Sequence, residues 1–319
     1  MRIDGTRVGT VTADAQGRWR LDDVDVAKGA HEVTLSSVLG GDVSPAVTYT
    51  VDFTKQAVVP SRTAPKVSGV TGDHTGEGIA DVFGVDGEGR LQFYAGTPTG
   101  TFRYQGEVGT GWDQMTYLAQ IADISGDRRS DLLARRGADQ SLWIYAGQGN
   151  GWLSTYTQAG KNWGGMDQIV PVGSLTGGST QYVVARRAED GSLFRYTLTP
   201  NGLTGVTQIG WHWGGMRQIL GVGDFTGDGR GDVLAIRDDG TLWAYAGTAD
   251  GRIGAGRQVG HGWNTFIRAF SPGDFTGDGR FDLLGQRLDG QVYAYENLNG
   301  RWGTARRVMS GTEDWKLMA

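Results

Sequence analysis

An acidic, glycine-rich phrase recurs along the chain, and its carboxylates are the side chains best suited to chemistry. The copy that begins at Asp224 adds carboxylates at Asp228 and Asp232, with the Thr226 hydroxyl between them. Gly227 permits the left-handed backbone that a tight loop requires. Alternate oxygens on a curled loop suit Ca²⁺, which takes roughly six to eight hard oxygen ligands. The phrase therefore predicts a calcium-binding loop.

A second interpretation of the phrase needs no metal. Asp and Thr in such loops also form turns in which the side chain accepts hydrogen bonds from backbone N–H groups. The residues leave both interpretations open. In either case the loop has a structural role, because no base or nucleophile accompanies the carboxylates.

The copies of the phrase follow a regular period, which is the first sign of a repeat fold. Successive copies are 50 or 51 residues apart, and they begin at Asp73, Asp123, Ser174, Asp224 and Asp274. A tyrosine keeps the same period as Tyr94, Tyr145, Tyr196, Tyr245 and Tyr295. A tryptophan closes each unit as Trp112, Trp163, Trp213, Trp263 and Trp315.

Each unit contains four strand-like runs separated by Gly, Asp or Asn, which is typical of a propeller blade. In the fourth unit these runs cover about 218–224, 231–237, 241–247 and 255–261. Both faces of the third run are apolar, as expected for blades that pack face to face. The sequence predicts an all-β, five-bladed β-propeller over 67–319, with blades at about 67–116, 117–167, 168–217, 218–267 and 268–319.

The first residues have a different pattern. The runs "VGTVTAD", "GRWRL", "HEVTLSS" and "VTYTVDF" alternate as strands do. They resemble the later part of a bacterial immunoglobulin-like module, without the opening strands of a full sandwich. The sequence thus predicts a small immunoglobulin-like β-sandwich fragment at 1–55, followed by a linker at 56–66 that contains Pro60 and Pro65.

The repeat itself resembles the FG-GAP/VCBS repeat, the calcium-loop blade of integrin-type propellers and of many secreted bacterial proteins. This resemblance covers 64–319, and it implies up to four structural Ca²⁺ ions held between the first two strands of a blade. The family usually has Asp or Asn at the third position of the loop, whereas this chain has Thr or Ser there. The implied ligands are Asp73, Glu77 and Asp81; Asp123, Asp127 and Asp131; Asp224, Asp228 and Asp232; and Asp274, Asp278 and Asp282.

The third copy departs from this pattern. Its corresponding positions hold Ser174, Gly178 and Tyr182, so every carboxylate is missing. The prediction is therefore four ions and not five.

Composition narrows the possible functions. The 319 residues include no cysteine, which excludes disulfides and thiol chemistry, and the four histidines show no metal-ligand spacing. The net charge of −5 gives no sign of nucleic-acid binding, and no apolar run is long enough for membrane insertion. The chain starts without a signal peptide. The resemblance to repeats of secreted bacterial proteins nevertheless implies a secreted or cell-surface protein, whose export signal is absent from this chain.

We found no asymmetric constellation typical of a catalytic site, so the sequence predicts a protein that is not an enzyme. Arginines recur at the end of the second strand in four units, and pairing at the surface or between blades is the role that we expect for them. These are Arg136, Arg187, Arg237 and Arg287.

Binding is the predicted activity. The closing tryptophans follow glycine-rich loops, where an exposed ring could stack on a sugar; the alternative is packing between blades. The first hypothesis is a lectin-like propeller that binds a glycan or cell-surface polysaccharide through several equivalent weak sites. The second is a protein-interaction or spacer module of a larger exported protein.

Overall fold

The computed structural model describes residues 2–4, 6–7, 30–35, 38–39, 42–43, 47–52 and 71–319. The chain divides into two compact units, Met1–Arg62 and Thr63–Ala319. All strand pairs in the described residues are antiparallel. In those same ranges, no helix has the length and apolar character needed to cross a membrane.

The described part of the first unit consists of short strands. They are β1 (Arg2–Ile3), β2 (Thr6–Arg7), β3 (Ala30–Leu35), β4 (Val38–Leu39), β5 (Asp42–Val43) and β6 (Val47–Asp52). One sheet has the order β2-β1-β3-β6, and β4 pairs with β5. Strands β3 and β6 coincide with two of the predicted runs to within two residues at each end. The other two runs and the linker lie outside the described residues, so the immunoglobulin-like module stays a prediction.

The second unit contains five four-stranded sheets. The first blade includes β7 (Val82–Val85), β8 (Leu91–Gly96) and β9 (Phe102–Gly109). The second contains β10 (Met115–Ile121), β11 (Asp131–Arg136), β12 (Leu142–Gly147) and β13 (Leu153–Gly160). The third contains β14 (Met166–Gly173), β15 (Gln181–Arg187), β16 (Leu193–Thr199) and β17 (Gly202–Gly210).

The last two blades repeat this arrangement. The fourth contains β18 (Met216–Gly221), β19 (Val233–Arg237), β20 (Leu242–Gly247) and β21 (Ile253–Gly260). The fifth contains β22 (Arg268–Gly273), β23 (Asp282–Gln286), β24 (Val292–Tyr295) and β25 (Arg306–Met309). Single turns of 3₁₀ helix connect successive blades at Trp112–Gln114, Trp163–Gly165, Trp213–Gly215 and Trp263–Thr265. The predicted all-β propeller, with five blades of four strands each, is confirmed.

The ring closes through the C-terminal strand. Strand β26 (Leu317–Met318) pairs with β7 and so supplies the innermost strand of the first blade. The Phe83 and Ala319 backbones exchange two hydrogen bonds, of 2.7 and 2.9 Å. The predicted blade boundaries differ here, because they assigned these last residues to the fifth unit. A repeat period gives the spacing of blades but not which blade takes up the final strand.

The core lies between the blades. Each of the five apolar clusters combines buried side chains of two neighbouring blades, and the cluster between the fifth and the first contains Phe275, Leu284 and Met318. The alternation within each third strand explains this arrangement, because apolar side chains on both faces of a sheet need a neighbour on each side.

The inner strands surround a central cavity of about 360 Å³. Side-chain amides that line this cavity form hydrogen bonds between adjacent inner strands. Gln218 donates to the Ala269 carbonyl at 2.6 Å and accepts from its N–H at 3.1 Å, while Gln168 accepts from the Ile219 N–H at 3.1 Å. These contacts satisfy polar backbone groups that would otherwise face the cavity.

Candidate functional site

The first aspartate of each acidic loop organises a turn. In the fourth blade, Asp224 Oδ1 accepts from the Gly227 and Asp228 N–H groups at 2.7 and 3.0 Å, and Oδ2 accepts from Gly229 at 2.7 Å. The equivalent aspartates bind successive N–H groups in the same way in the first, second and fifth blades. This is the geometry of an Asx-turn, so the turn interpretation describes the backbone of the loop.

The last aspartate of each loop is buried and joins two loops of its blade. Asp232 accepts from the Thr226 N–H at 2.8 Å and from the Gly247 N–H at 2.9 Å, and Gly247 is the last residue of the third strand. Burial raises the pKa of Asp232, against the lowering effect of these backbone hydrogen bonds. The same cause raises the pKa of Asp282 to about 6. A buried carboxylate without a cation is costly, and a bound divalent ion would offset that cost.

The middle carboxylate differs among the blades. Three of them form an ion pair with the arginine two residues later, at 2.9 to 3.2 Å: Asp127 with Arg129, Asp228 with Arg230, and Asp278 with Arg280. Glu77 in the first blade is exposed. The arginine neutralises one of the three charges, which lowers the repulsion within a loop even before any metal binds.

The loops differ in how well their oxygen atoms fit a cation. In the part of the chain that the structure describes, one acidic trio converges: ligand atoms of Asp123, Asp127 and Asp131 lie within 4.8 Å of one another. In the fourth and fifth blades, the Thr226 and Thr276 hydroxyls are buried and make no hydrogen bond. An unsatisfied buried hydroxyl at a predicted ligand position is a second sign of fit. The residues present therefore fit Ca²⁺ best in the second, fourth and fifth blades.

In the third blade, whose loop has no carboxylates, an arginine contacts the residue that stands in place of the buried aspartate. The Arg195 guanidinium lies 4.9 Å from the centre of the Tyr182 ring, and Tyr182 occupies the position of the buried aspartate. Arg195 also donates to the Gly251 carbonyl of the next blade at 2.7 Å. The loop that has lost its carboxylates is thus braced by an arginine.

The closing tryptophans are buried, which corrects the predicted sugar-stacking role. Their exposed fractions are 4–9 % for Trp112, Trp163, Trp213, Trp263 and Trp315. Each ring packs 4.5–5.5 Å from the recurring tyrosine of the following blade, and Trp315 packs on Tyr94 of the first. The packing alternative describes these rings, because the junction between two blades needs a large apolar group and leaves no ring face open to a sugar.

A different aromatic set lies at the opposite end of the blades from the acidic loops. In four blades, an arginine at the end of the second strand lies over an aromatic ring at the start of the third. The distances to the ring centres are 5.0 Å for Arg136 and Trp143, 4.9 Å for Arg187 and Phe194, 3.8 Å for Arg237 and Trp243, and 4.3 Å for Arg287 and Tyr293. We call these four pairs the hairpin clusters.

Hydrogen-bonding groups surround each hairpin cluster. The turn between the two strands supplies an aspartate, and the fourth strand places a further polar residue directly opposite the ring. Gln158, Gln208, Gln258 and Arg307 occupy this position. The rings are half-buried. A half-exposed ring beside amide, carboxylate and guanidinium groups combines apolar surface with hydrogen-bonding groups, as ligand sites do.

The first blade lacks a hairpin cluster. Gln92 replaces the ring, and it donates to the buried Asp86 at 2.8 Å. Arg90 completes this arrangement with a 2.8 Å ion pair to the same carboxylate. The sequence analysis identified the recurring arginines and the alternating third strand as separate features. Their shared period of about 50 residues was the signal that could have predicted that the arginines and rings lie together.

One family of known proteins matches part of the chain. The FG-GAP-like repeat family matches residues 224–285, which span the acidic loops of the fourth and fifth blades. No curated protein matches the chain.

Several solved structures are similar to this chain. A lectin from Agrocybe aegerita, described as recognising non-reducing terminal N-acetylglucosamine, is 16 % identical with a TM-score of 0.43, covering 76 % of this chain and 80 % of its own. A Burkholderia pseudomallei lectin is 15 % identical with a TM-score of 0.44, covering 76 % and 69 %. A structure described as BBS1N in complex with ARL6DN is 13 % identical with a TM-score of 0.38, covering 77 % and 84 %.

Proposed function

We propose that this protein is a secreted, non-catalytic, multivalent carbohydrate-binding propeller whose acidic loops hold structural Ca²⁺. The observation that carries the proposal is the fourfold repetition of the hairpin cluster at one end of the blades. Weak sites that recur around a ring gain affinity when a polymeric ligand occupies several of them at once. Repeated surface glycans and polysaccharides are ligands of that kind.

The chemistry of each cluster supports a sugar as the ligand. Aromatic rings stack on the apolar C–H faces of sugars, while side chains such as Gln258 and Asp239 can exchange hydrogen bonds with sugar hydroxyls. The hairpin clusters are positioned on strand ends and short turns, so the side chains are held by rigid elements.

Calcium would serve stability in this proposal. Asp123, Asp127 and Asp131 would hold one ion, and the equivalent aspartates with Thr226 and Thr276 would hold two more. When bound, the ion supplies positive charge to carboxylates that burial otherwise penalises. The buried aspartates hold the loop between the first two strands against the end of the third strand.

A glycan array tests the proposal directly. The wild-type protein is expected to bind a defined set of glycans, and Trp243→Ala combined with Trp143→Ala is expected to weaken that binding at least about tenfold, which corresponds to ~1.4 kcal/mol. Trp211→Ala, which removes an exposed ring outside the clusters, is the matched control. Absence of glycan binding by the folded wild-type protein would refute the proposal.

Protein recognition is the second candidate function, and one observation favours it. Val206 and Trp211 on the third blade are about three-fifths exposed, at 60 % and 59 %. Exposed apolar side chains of this size are typical of contact surfaces between proteins. This alternative is favoured if the wild-type protein binds no glycan on the array and captures a protein that the Trp211→Ala variant no longer binds.

A further inference from the structure

The four hairpin clusters are not equivalent, because their guanidinium groups differ in pairing. Arg136 binds Asp139 through both Nε and a terminal nitrogen, and Arg187 binds Asp190 in the same two-pronged way. A bidentate pair of this kind uses the two nitrogen atoms that would otherwise meet an anionic ligand. In the second and third blades the positive charge is therefore already neutralised.

The fourth and fifth blades leave the guanidinium without such a partner. Among the residues that the structure describes, no carboxylate forms an ion pair with Arg237 or Arg287. Within the same residues, the Arg287 Nε is buried and makes no hydrogen bond. Arg237 lies nearer to its ring than any other cluster arginine, at 3.8 Å from the Trp243 ring centre.

The turn aspartates of all four clusters accept hydrogen bonds from the residue two positions later. In the fourth and fifth blades, as far as the structure describes the chain, they make these bonds without also pairing with the arginine. Asp239 accepts from the Thr241 N–H and hydroxyl at 2.9 and 2.6 Å. Asp289 accepts from the Gln291 N–H and side-chain amide at 3.1 and 2.8 Å. Hydrogen bonds from Thr241 and, after them, the charge of Arg237 lower the pKa of Asp239, so this carboxylate is near the guanidinium without contacting it.

The fifth blade adds a second positive charge. Arg307 lies opposite Tyr293 across the strand pair, where the other three clusters have glutamine, and it is exposed. Glu313 approaches the turn at Gly290, but it forms no ion pair with Arg287 in the described part of the chain. This cluster therefore presents one ring and two guanidinium groups.

We propose that the clusters of the fourth and fifth blades bind acidic sugar residues, whereas those of the second and third blades bind neutral ones. The inference rests on the proposed carbohydrate function and deepens it. A guanidinium matches a carboxylate with two parallel hydrogen bonds, and the ring beneath it holds the guanidinium in place by a cation–π contact. Sulfate offers the same negative charge, so the shared chemistry is an anionic group on a sugar ring.

The test compares three probes that differ in charge alone or in the source of that charge. They are a uronic-acid oligosaccharide, the same oligosaccharide with its carboxylates methyl-esterified, and a sulfated neutral oligosaccharide of equal length. Binding to the full chain is measured by calorimetry at low and at physiological salt, in the presence of Ca²⁺. We expect the uronate to bind at least about tenfold more tightly than its ester, with the preference reduced by salt.

The variants locate the effect. Arg237→Gln combined with Arg287→Gln is expected to remove most of the preference for the acid over the ester, and the part due to Arg307 remains. Arg136→Gln combined with Arg187→Gln, the matched control, is expected to preserve it. Thermal unfolding of both double variants checks that each is folded. Because the acidic loops lie at the other end of the blades, a preference that arose from bound calcium would survive in both double variants and would overturn the inference.

The remaining outcomes separate the two levels of the proposal. Equal binding of acid and ester, with retained binding of neutral glycans, overturns the acidic-sugar inference and leaves the carbohydrate function intact. Binding of the sulfated probe alone keeps the anionic assignment and changes the anion from carboxylate to sulfate. Failure of every probe and of the whole array overturns both.

Discussion

At the scale of single residues, the same residue type has opposite roles within a few positions. Trp213 is 7 % exposed and packs on Tyr245 at 4.5 Å, while Trp211, two residues earlier, is 59 % exposed. Trp213 begins a 3₁₀ turn that directs its ring between two blades. Residue type alone therefore does not decide which tryptophan packs and which one is open to solvent.

We predict that Trp213→Ala destabilises the propeller strongly and Trp211→Ala does not. Removing a large buried ring costs about 3–5 kcal/mol, because transfer energy is lost and a cavity is left. A surface substitution usually changes stability by less than about 0.5 kcal/mol. Urea unfolding followed by circular dichroism measures both values. Similar values for the two variants would contradict the burial described above.

The buried Asp86 predicts a pH-dependent contribution to stability. Burial alone would raise its pKa, but hydrogen bonds from the Arg90 backbone, Gln92 and the Arg90 side chain together lower it. A carboxyl whose pKa is lower in the folded state stabilises above its unfolded pKa of about 3.9, and that stability is lost as the pH falls through the folded value.

We therefore expect Asp86→Asn to be less stable than the wild type at pH 7, with a difference that shrinks below about pH 4. Urea unfolding of both proteins at pH 7, 5 and 3 gives the difference directly, since titrations common to both cancel. A difference that is constant over this range would show that the pKa of Asp86 is not lowered by folding.

At the scale of elements, each acidic loop is a turn that its first aspartate already organises through backbone hydrogen bonds. The third blade forms the same strand pair around a loop that lacks the carboxylates. Calcium would offset the free-energy cost of burying the charged carboxylate of the last aspartate. Metal binding is thus expected to change stability more than conformation.

We predict that Ca²⁺ raises the melting temperature of the wild type, with a gain of ~2.7 kcal/mol for one site at a hundredfold excess over the dissociation constant. The variant with Asp127→Asn and Asp131→Asn is expected to lose the part of the melting-temperature increase that comes from calcium in the second blade. Gly178→Ala in the third blade, where a Cβ meets open space, is the matched control and should keep the full shift. Calorimetry with and without a chelator measures these changes in melting temperature. A wild-type melting temperature that the chelator does not change would contradict the proposed calcium binding.

At the scale of the whole molecule, closure depends on the last few residues. Trp315 and Met318 are buried in the cluster between the fifth and first blades. Among the residues that the structure describes, the inner strand paired with β7 comes from this segment. Without it, the first blade would expose an unpaired edge, and the ring would lose two large apolar side chains.

We predict that Met318→Ala lowers the free energy of unfolding by about 2–5 kcal/mol, as expected for a buried side chain. The exposed neighbour Lys316→Ala is the control, because only its backbone pairs with Val85. Equal and small effects in urea unfolding would mean that the ring does not depend on this closure.

Much of the architecture follows from local pattern. The period gives five blades, the alternation of each third strand requires two apolar faces, and the spacing of Asp123, Asp127 and Asp131 places three carboxylates on one loop. These features depend on near neighbours in sequence, and a regular repeat transmits them around the ring. The sequence by itself therefore determined the fold and the position of the acidic loops.

The tertiary structure decided the features that depend on contacts between different strands and different blades. The exchange of β26 into the first blade, the burial of the closing tryptophans and the stacking of Arg237 on Trp243 all bring together groups from different strands or different blades. The pairing of Arg136 with Asp139, and its absence for Arg237 among the described residues, arises from side-chain conformations that similar turns share only in part. The recurring spacing places these residues at equivalent positions of each blade. Packing and side-chain conformation then set which of them are buried or paired and which remain open for binding.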